Sequence, residues 1–162
     1  MNTRMQFRFA MVSAAAIALS GFTLPAFAED DFEAPLVACL SNGTSIGGVG
    51  SCGKIWKLKS GRAELKHGGR LEVKVKGLVL NDTTVGQYNG TPDGVDAVAA
   101  AVICTGPSGP AVAAQTEAMP LSKTGDAYIK ATVSLKGCVA PVIVLRERYE
   151  GKIGGWLAGT GM

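Results

Sequence analysis

Residues Arg62 to Lys76 change character one by one, and this alternation limits what the chain can fold into more than any other stretch. Leu71, Val73 and Val75 alternate with Arg70, Glu72, Lys74 and Lys76. That period of two sets one face of a β-strand on a core and the other in water. Just upstream, Ala63 and Leu65 alternate with Arg62, Glu64 and Lys66, and His67-Gly68-Gly69 lies between the two runs as a turn. The pattern predicts a hairpin over Arg62 to Lys76. Gly77 interrupts it and Leu78-Val79-Leu80 follows as a continuous apolar run. A bulge or bend is expected at Gly77, with the strand buried on both faces beyond it.

The remaining segments fall around this hairpin at strand-like spacing. Glu29 to Pro35 reads as an acidic, extended lead-in, and Leu36 to Leu40 as a first short strand. Ser41 to Gly53 carries Gly43, Gly47, Gly48, Gly50 and Gly53, too much backbone freedom to nucleate regular structure. Ile55 to Lys59 is strand-like, and Asn81 to Gly94, with Asn89-Gly90 and Thr91-Pro92-Asp93-Gly94, is a long loop, the kind of segment that often carries function. Val95 to Thr105 is alanine-rich, which favours helix, yet Val98, Val102 and Ile103 and its neighbours favour strand, and strand is the reading adopted. Val112 to Met119, Ala127 to Leu135, Val139 to Tyr149 and Ile153 to Ala158 complete the series. The expected fold is all-β: a single antiparallel β-sandwich, immunoglobulin-like, of about seven to eight strands.

The first residues have a separate meaning. Arg4 and Arg8, the apolar run Phe9 to Leu19 and the small residues of Ala26-Phe27-Ala28 are the three parts of a secretory signal peptide. Cleavage is expected after Ala28, which divides the chain into a signal peptide at 1–28, an acidic lead-in and Gly-rich disulfide loop at 29–53, and a β-domain at 54–162. The expected location is periplasmic or secreted, with no transmembrane segment in the mature chain. Arg4 and Arg8 are two of 16 Lys and Arg against 13 Asp and Glu, so the mature chain is close to neutral and overall charge specifies no partner. Four cysteines, Cys39, Cys52, Cys104 and Cys138, most naturally form two disulfides in an exported chain, with three connectivities possible. Cys39 with Cys52 closes the Gly-rich loop, and Cys104 with Cys138 ties two predicted strands; these pairings are favoured. Loop-closure entropy makes them worth roughly 3 and 4 kcal/mol.

Gly77-Leu78-Val79-Leu80, Val102-Ile103-Cys104, Val133-Ser134-Leu135 with Cys138-Val139-Ala140-Pro141, and the terminal Gly-Gly-Trp-Leu-Ala-Gly-Thr-Gly together resemble a group of small exported, functionally uncharacterised bacterial β-proteins. The likeness runs over most of Lys54 to Met162. It implies a β-sandwich-like fold, supports pairing Cys104 with Cys138, and implies no activity.

Several constellations suggest chemistry and each has a simpler explanation. Gly48 to Lys54 matches part of a phosphate-binding loop, but Ile55 stands where Ser or Thr would meet magnesium, and no α/β unit surrounds it. His67 is the only histidine; it lies in a glycine turn, where a catalytic imidazole would need an acid and a nucleophile on either side. Asp82, Asn89, Asp93 and Asp96 could offer oxygen ligands to calcium, but they are also ordinary turn formers without ligand periodicity. The Asn-x-Thr triplets at Asn42, Asn81 and Asn89 read as turns, and Trp56 and Trp156, each in an apolar strand pattern, as core anchors. No catalytic, metal or cofactor residue is assigned.

The basic hairpin is the strongest candidate surface. With Ala63, Leu65, Leu71, Val73 and Val75 inward, Arg62, Lys66, Arg70, Lys74 and Lys76 point outward together, a face suited to an anionic ligand. Glu64 and Glu72 interrupt it as in an ordinary solvated sheet, and the absence of interleaved aromatics disfavours nucleic acid. The chain therefore reads as a non-catalytic binding or structural module of the cell envelope or extracellular space. An anionic envelope polymer or another protein would be its partner class. A secreted inhibitor or interaction domain acting through the loop 81–94 is the alternative, and a hydrolytic enzyme with an unrecognised site the second alternative.

Overall fold

The alternating stretch forms the predicted hairpin. In the computed structural model, which describes residues 31–40, 44–92 and 94–161, one arm is Ser60–Lys66 and the other Arg70–Lys76. They pair antiparallel with Arg62 opposite Lys74, Glu64 opposite Glu72 and Lys66 opposite Arg70. Ala63, Leu65, Leu71, Val73 and Val75 are all buried, as their period of two requires. The signal peptide and its cleavage site lie outside the described residues.

Twelve strands are present among the described residues. In chain order they are β1 (Phe32–Pro35), β2 (Val37–Ala38), β3 (Trp56–Lys57), β4 (Ser60–Lys66), β5 (Arg70–Lys76), β6 (Val79–Leu80), β7 (Ala97–Gly106), β8 (Gly109–Gln115), β9 (Met119–Pro120), β10 (Ala127–Thr132), β11 (Val139–Tyr149) and β12 (Lys152–Gly159). They form three sheets: β1-β4-β5-β10, then β2-β12-β11-β7-β8 with β9 beside β8 on β7, and the small pair β3-β6. Every strand pairing is antiparallel. No helix among the described residues is long and apolar enough to cross a membrane.

The all-β, antiparallel class agrees with expectation, while the single immunoglobulin-like sandwich of seven to eight strands does not match three sheets. Two local causes account for the difference. Gly77, at φ +63°, ends β5 instead of bulging within it, and a Cβ there would fall 2.9 Å from the Lys59 side chain. The following Leu78-Val79-Leu80 is buried as predicted, but it leaves the first sheet and pairs with Trp56-Lys57. The lead-in also contributes a strand, because Phe32 and Ala34 supply a short period-two pattern that pairs with Leu65 and Ala63 of β4.

The alanine-rich segment is β7, a strand with residues Ala97 to Ile103 buried. Helix propensity gives way because β11 flanks β7 on one side and β8 and β9 flank it on the other. Arg146 and Arg148 stand opposite Ala99 and Ala97, so they share a face with them, and their aliphatic stems can cover the small methyl groups.

One apolar core joins the sheets. Leu71, Val73 and Ile129 of the four-stranded sheet cluster with Val102, Ile143, Val144 and Leu157 of the six-stranded sheet, together with Trp56 and Trp156. Both tryptophans are buried, as expected of core anchors. The Gly-rich loop lies on β12: Gly50 accepts from the Trp156 backbone N–H at 2.8 Å and Thr44 from its indole Nε1 at 3.3 Å. Both favoured disulfides are present, Cys39–Cys52 with Cα atoms 6.2 Å apart and Cys104–Cys138 at 5.1 Å. The second links β7 to the residue preceding β11, neighbours in one sheet, whereas the immunoglobulin disulfide crosses between sheets.

Candidate functional site

The tight turn at His67–Gly69 does more than reverse the hairpin. Gly68 and Gly69 both have φ +77°, a conformation that glycine adopts without a Cβ penalty. The carbonyl of Gly69 accepts from Val133 N–H at 2.8 Å, which draws the chain beyond β10 against the turn. That chain continues through Ser134, Leu135 and Lys136 to Cys138, where the disulfide to Cys104 anchors it.

Beyond the disulfide, β11 carries a bulge. Val139 opposes Thr105 and Val142 opposes Ile103, so Ala140 and Pro141 together face Cys104 alone. Ala140 has φ +48°, sparsely populated for a residue with a Cβ. Bulges re-aim side chains beside functional sites, and this one places Pro141 in the wall of a cleft.

The cleft has a volume of about 380 Å³, within the range of small-ligand sites. Phe32, Leu65, Val133, Leu135 and Pro141 make its apolar lining, and Lys66, His67, Ser134 and Lys136 its polar part. Lys66 pairs with Glu64 at 3.3 Å. Asp31 accepts from the backbone N–H of His67 at 2.9 Å. Lys136 forms no ion pair among the described residues. An apolar lining that also carries two lysines can bind and orient a ligand. It offers no assembled proton relay, since among the described residues the His67 imidazole has no hydrogen-bonded acid or hydroxyl.

The five basic residues of the hairpin do share the outer face of the four-stranded sheet, but most are already engaged. Arg62 pairs with Glu33 and, at 3.0 Å, with Glu64, which Lys66 also contacts. Lys74 and Lys130 lie 3.8 and 3.6 Å from Glu72. Glu64 and Glu72 are directly opposed, a repulsive placement that these cations offset. The Tyr128 hydroxyl donates to Glu72 at 3.0 Å and, with Lys130, Lys74 and Lys66, holds that carboxyl below its ordinary pKa; the same bond raises Tyr128. Lys74 Nζ lies 5.3 Å from the Tyr128 ring centroid. Arg70 and Lys76 form no ion pair among the described residues.

The other sequence-derived candidates serve turns and an ion pair. Asp82 caps the 3-10 turn Thr83–Tyr88 by accepting from Thr84 N–H, and Asn89 accepts from Asp82 N–H. Asp96 pairs with Arg148 at 2.9 Å, and Asp93 lies outside the described residues, as does Asn42. No metal-binding cluster occurs among the described residues. Gly48 to Lys54 leads into β3 and not into a helix, and its Cys52 is held in a disulfide.

Sequence reading located His67 and Lys66 but missed the partners that complete the cleft: Phe32, Val133, Leu135, Lys136 and Pro141. Gly68-Gly69 beside a lone histidine and Cys138 close to Pro141 were the available signals, though neither indicates what the other meets. The chain matches no family model, no curated protein and no solved structure.

Proposed function

We propose that the protein is a non-catalytic, disulfide-stabilised β-domain of the periplasm or extracellular space that binds a small ligand in the cleft beside the His67 turn. The carrying observation is the cleft itself: an apolar lining drawn from β1, β4, the segment after β10, and β11, together with Lys66 and Lys136. Two disulfides support an oxidising compartment, as does the signal-like run before Glu29, and a sandwich-like packing of the two larger sheets around one core suits a rigid scaffold. The hairpin face is the weaker binding surface, because Arg62, Lys66 and Lys74 already neutralise Glu33, Glu64 and Glu72.

Backbone amide shifts measured against a library of small fragments test this reading. The expected result is a set of perturbations centred on residues 65–69 and 133–141. Perturbations centred instead on Arg62, Arg70 and Lys74, or on residues 83–88, would move the site to the basic face or the long loop.

A further inference from the structure

We infer that the cleft takes a small amphipathic anion: a carboxylate joined to a medium-length alkyl chain or a single aromatic ring. This deepens the binding reading above and rests on it. The apolar part would lie on Phe32, Leu65, Val133, Leu135 and Pro141, and the carboxylate at Lys66 and Lys136.

Size, lining and charge each narrow the class. A volume of about 380 Å³ lies at the small end of the range of ligand sites, which suits a medium-length chain or a single ring. Phe32, Leu65, Val133, Leu135 and Pro141 line it with hydrocarbon, which disfavours sugars, whose hydroxyls would lose water against them. Among the described residues no carboxylate lines the cleft, and two lysines do. Asp31, which meets the turn, has its Oδ1 engaged by the His67 backbone N–H. Lys66 is shared with Glu64, which leaves Lys136 as the principal head-group partner and Lys66 as the second. Because these ammonium groups are partly solvated, they select the ligand's charge more than they supply its affinity.

Calorimetric titration of the full mature protein with octanoate, octanol and octyltrimethylammonium, all as monomers, tests the assignment. Octanoate is expected to bind tightest and octyltrimethylammonium weakest. The Lys66→Gln/Lys136→Gln variant is expected to weaken octanoate about fivefold and leave octanol unchanged, whereas Arg70→Gln should alter neither. Circular dichroism confirms that the variants fold. Octanol binding as tightly as octanoate would overturn the anionic head-group assignment while leaving the cleft reading intact; no binding of either would overturn both. Sedimentation with phosphatidylglycerol vesicles is the remaining arm. Binding to vesicles without binding to octanoate would mean a membrane surface in place of a free amphiphile, and would also overturn the proposal.

Discussion

Gly69 and Val133 hold each other in a contact that admits no side chain at Gly69. Val133 N–H donates to the Gly69 carbonyl at 2.8 Å, and a Cβ built on Gly69 would lie 1.9 Å from the Val133 carbonyl oxygen. The close approach brings the segment after β10 over the hairpin turn and so creates one wall of the cleft.

Replacing Gly69 should therefore disturb both stability and the cleft. Gly69→Ala must place a Cβ residue at φ +77° and push Val133 backbone away, a strain of about 1–3 kcal/mol or more. Urea denaturation should show that loss, and amide shifts from Val133 to Pro141 should move. Gly68→Ala meets no atom within 4 Å and should cost only the left-handed backbone penalty. Equal effects of the two substitutions would refute the packing argument.

The two disulfides should contribute unequally. Cys104–Cys138 spans 34 residues of sequence separation and Cys39–Cys52 spans 13, so loop-closure entropy assigns roughly 4 and 3 kcal/mol. The Cys104→Ser/Cys138→Ser variant should be the less stable and should also loosen the cleft wall at Lys136 and Pro141. Chemical denaturation with and without reductant gives the ranking; a larger loss from opening Cys39–Cys52 would contradict it.

What could be read in the sequence was local, and what could not depends on register between distant strands. The hairpin and the buried Leu71, Val73 and Val75 follow from alternation, while the strand identity of Ala97 to Ile103 rests on Val98, Val102 and Ile103 and on the strands expected to either side. Gly77 marks a break in the alternation, but whether such a glycine bulges a strand or ends it depends on where Leu78 to Leu80 finds a partner, and Trp56 lies far upstream. The basic stripe is less free than its spacing suggests because Glu33 arrives from β1 to pair with Arg62 and the Tyr128 ring from β10 to meet Lys74. Phe32, Leu65 and Pro141 meet only through the β1-β4 pairing and the bulge in β11, which no spacing pattern encodes.

Acid should weaken the fold through four carboxylates. Glu72 is held below its ordinary pKa first by the Tyr128 hydroxyl, Asp82 by Thr84, Asp96 by Arg148 and Asp126 by the Gly77 N–H. With folded values depressed, the unfolded chain binds more protons in the acid range, so stability rises with pH there. The contribution is present above the unfolded values, about pH 4 for such groups, and is lost as pH falls through the folded ones. Asp96 and Asp126 are exposed and Glu72 and Asp82 partly so, so the slope is modest. Urea midpoints should be flat from about pH 7 to 5 and decline below about 4. Tyr128→Phe should reduce that decline, and an unchanged slope would remove Glu72 from the account.

Thr160 closes the far side of β11 with a reciprocal pair of bonds. Its N–H donates to the Ile143 carbonyl at 2.9 Å, and its Oγ1 accepts from Ile143 N–H at 3.0 Å, in a side chain that is buried. Valine keeps the shape but removes the acceptor, leaving a buried N–H without a partner at a cost of about 1–3 kcal/mol. Serine keeps the acceptor and loses a methyl, which costs about 1 kcal/mol. Thr160→Val should thus be the more destabilising, and hydrogen exchange at the Ile143 amide should accelerate in Thr160→Val but not in Thr160→Ser. Because Ile143 lies two residues past Pro141, the same variant should weaken octanoate binding if the bulge is held in place from this side. Unchanged exchange at Ile143 in Thr160→Val would show that Oγ1 does not satisfy that amide.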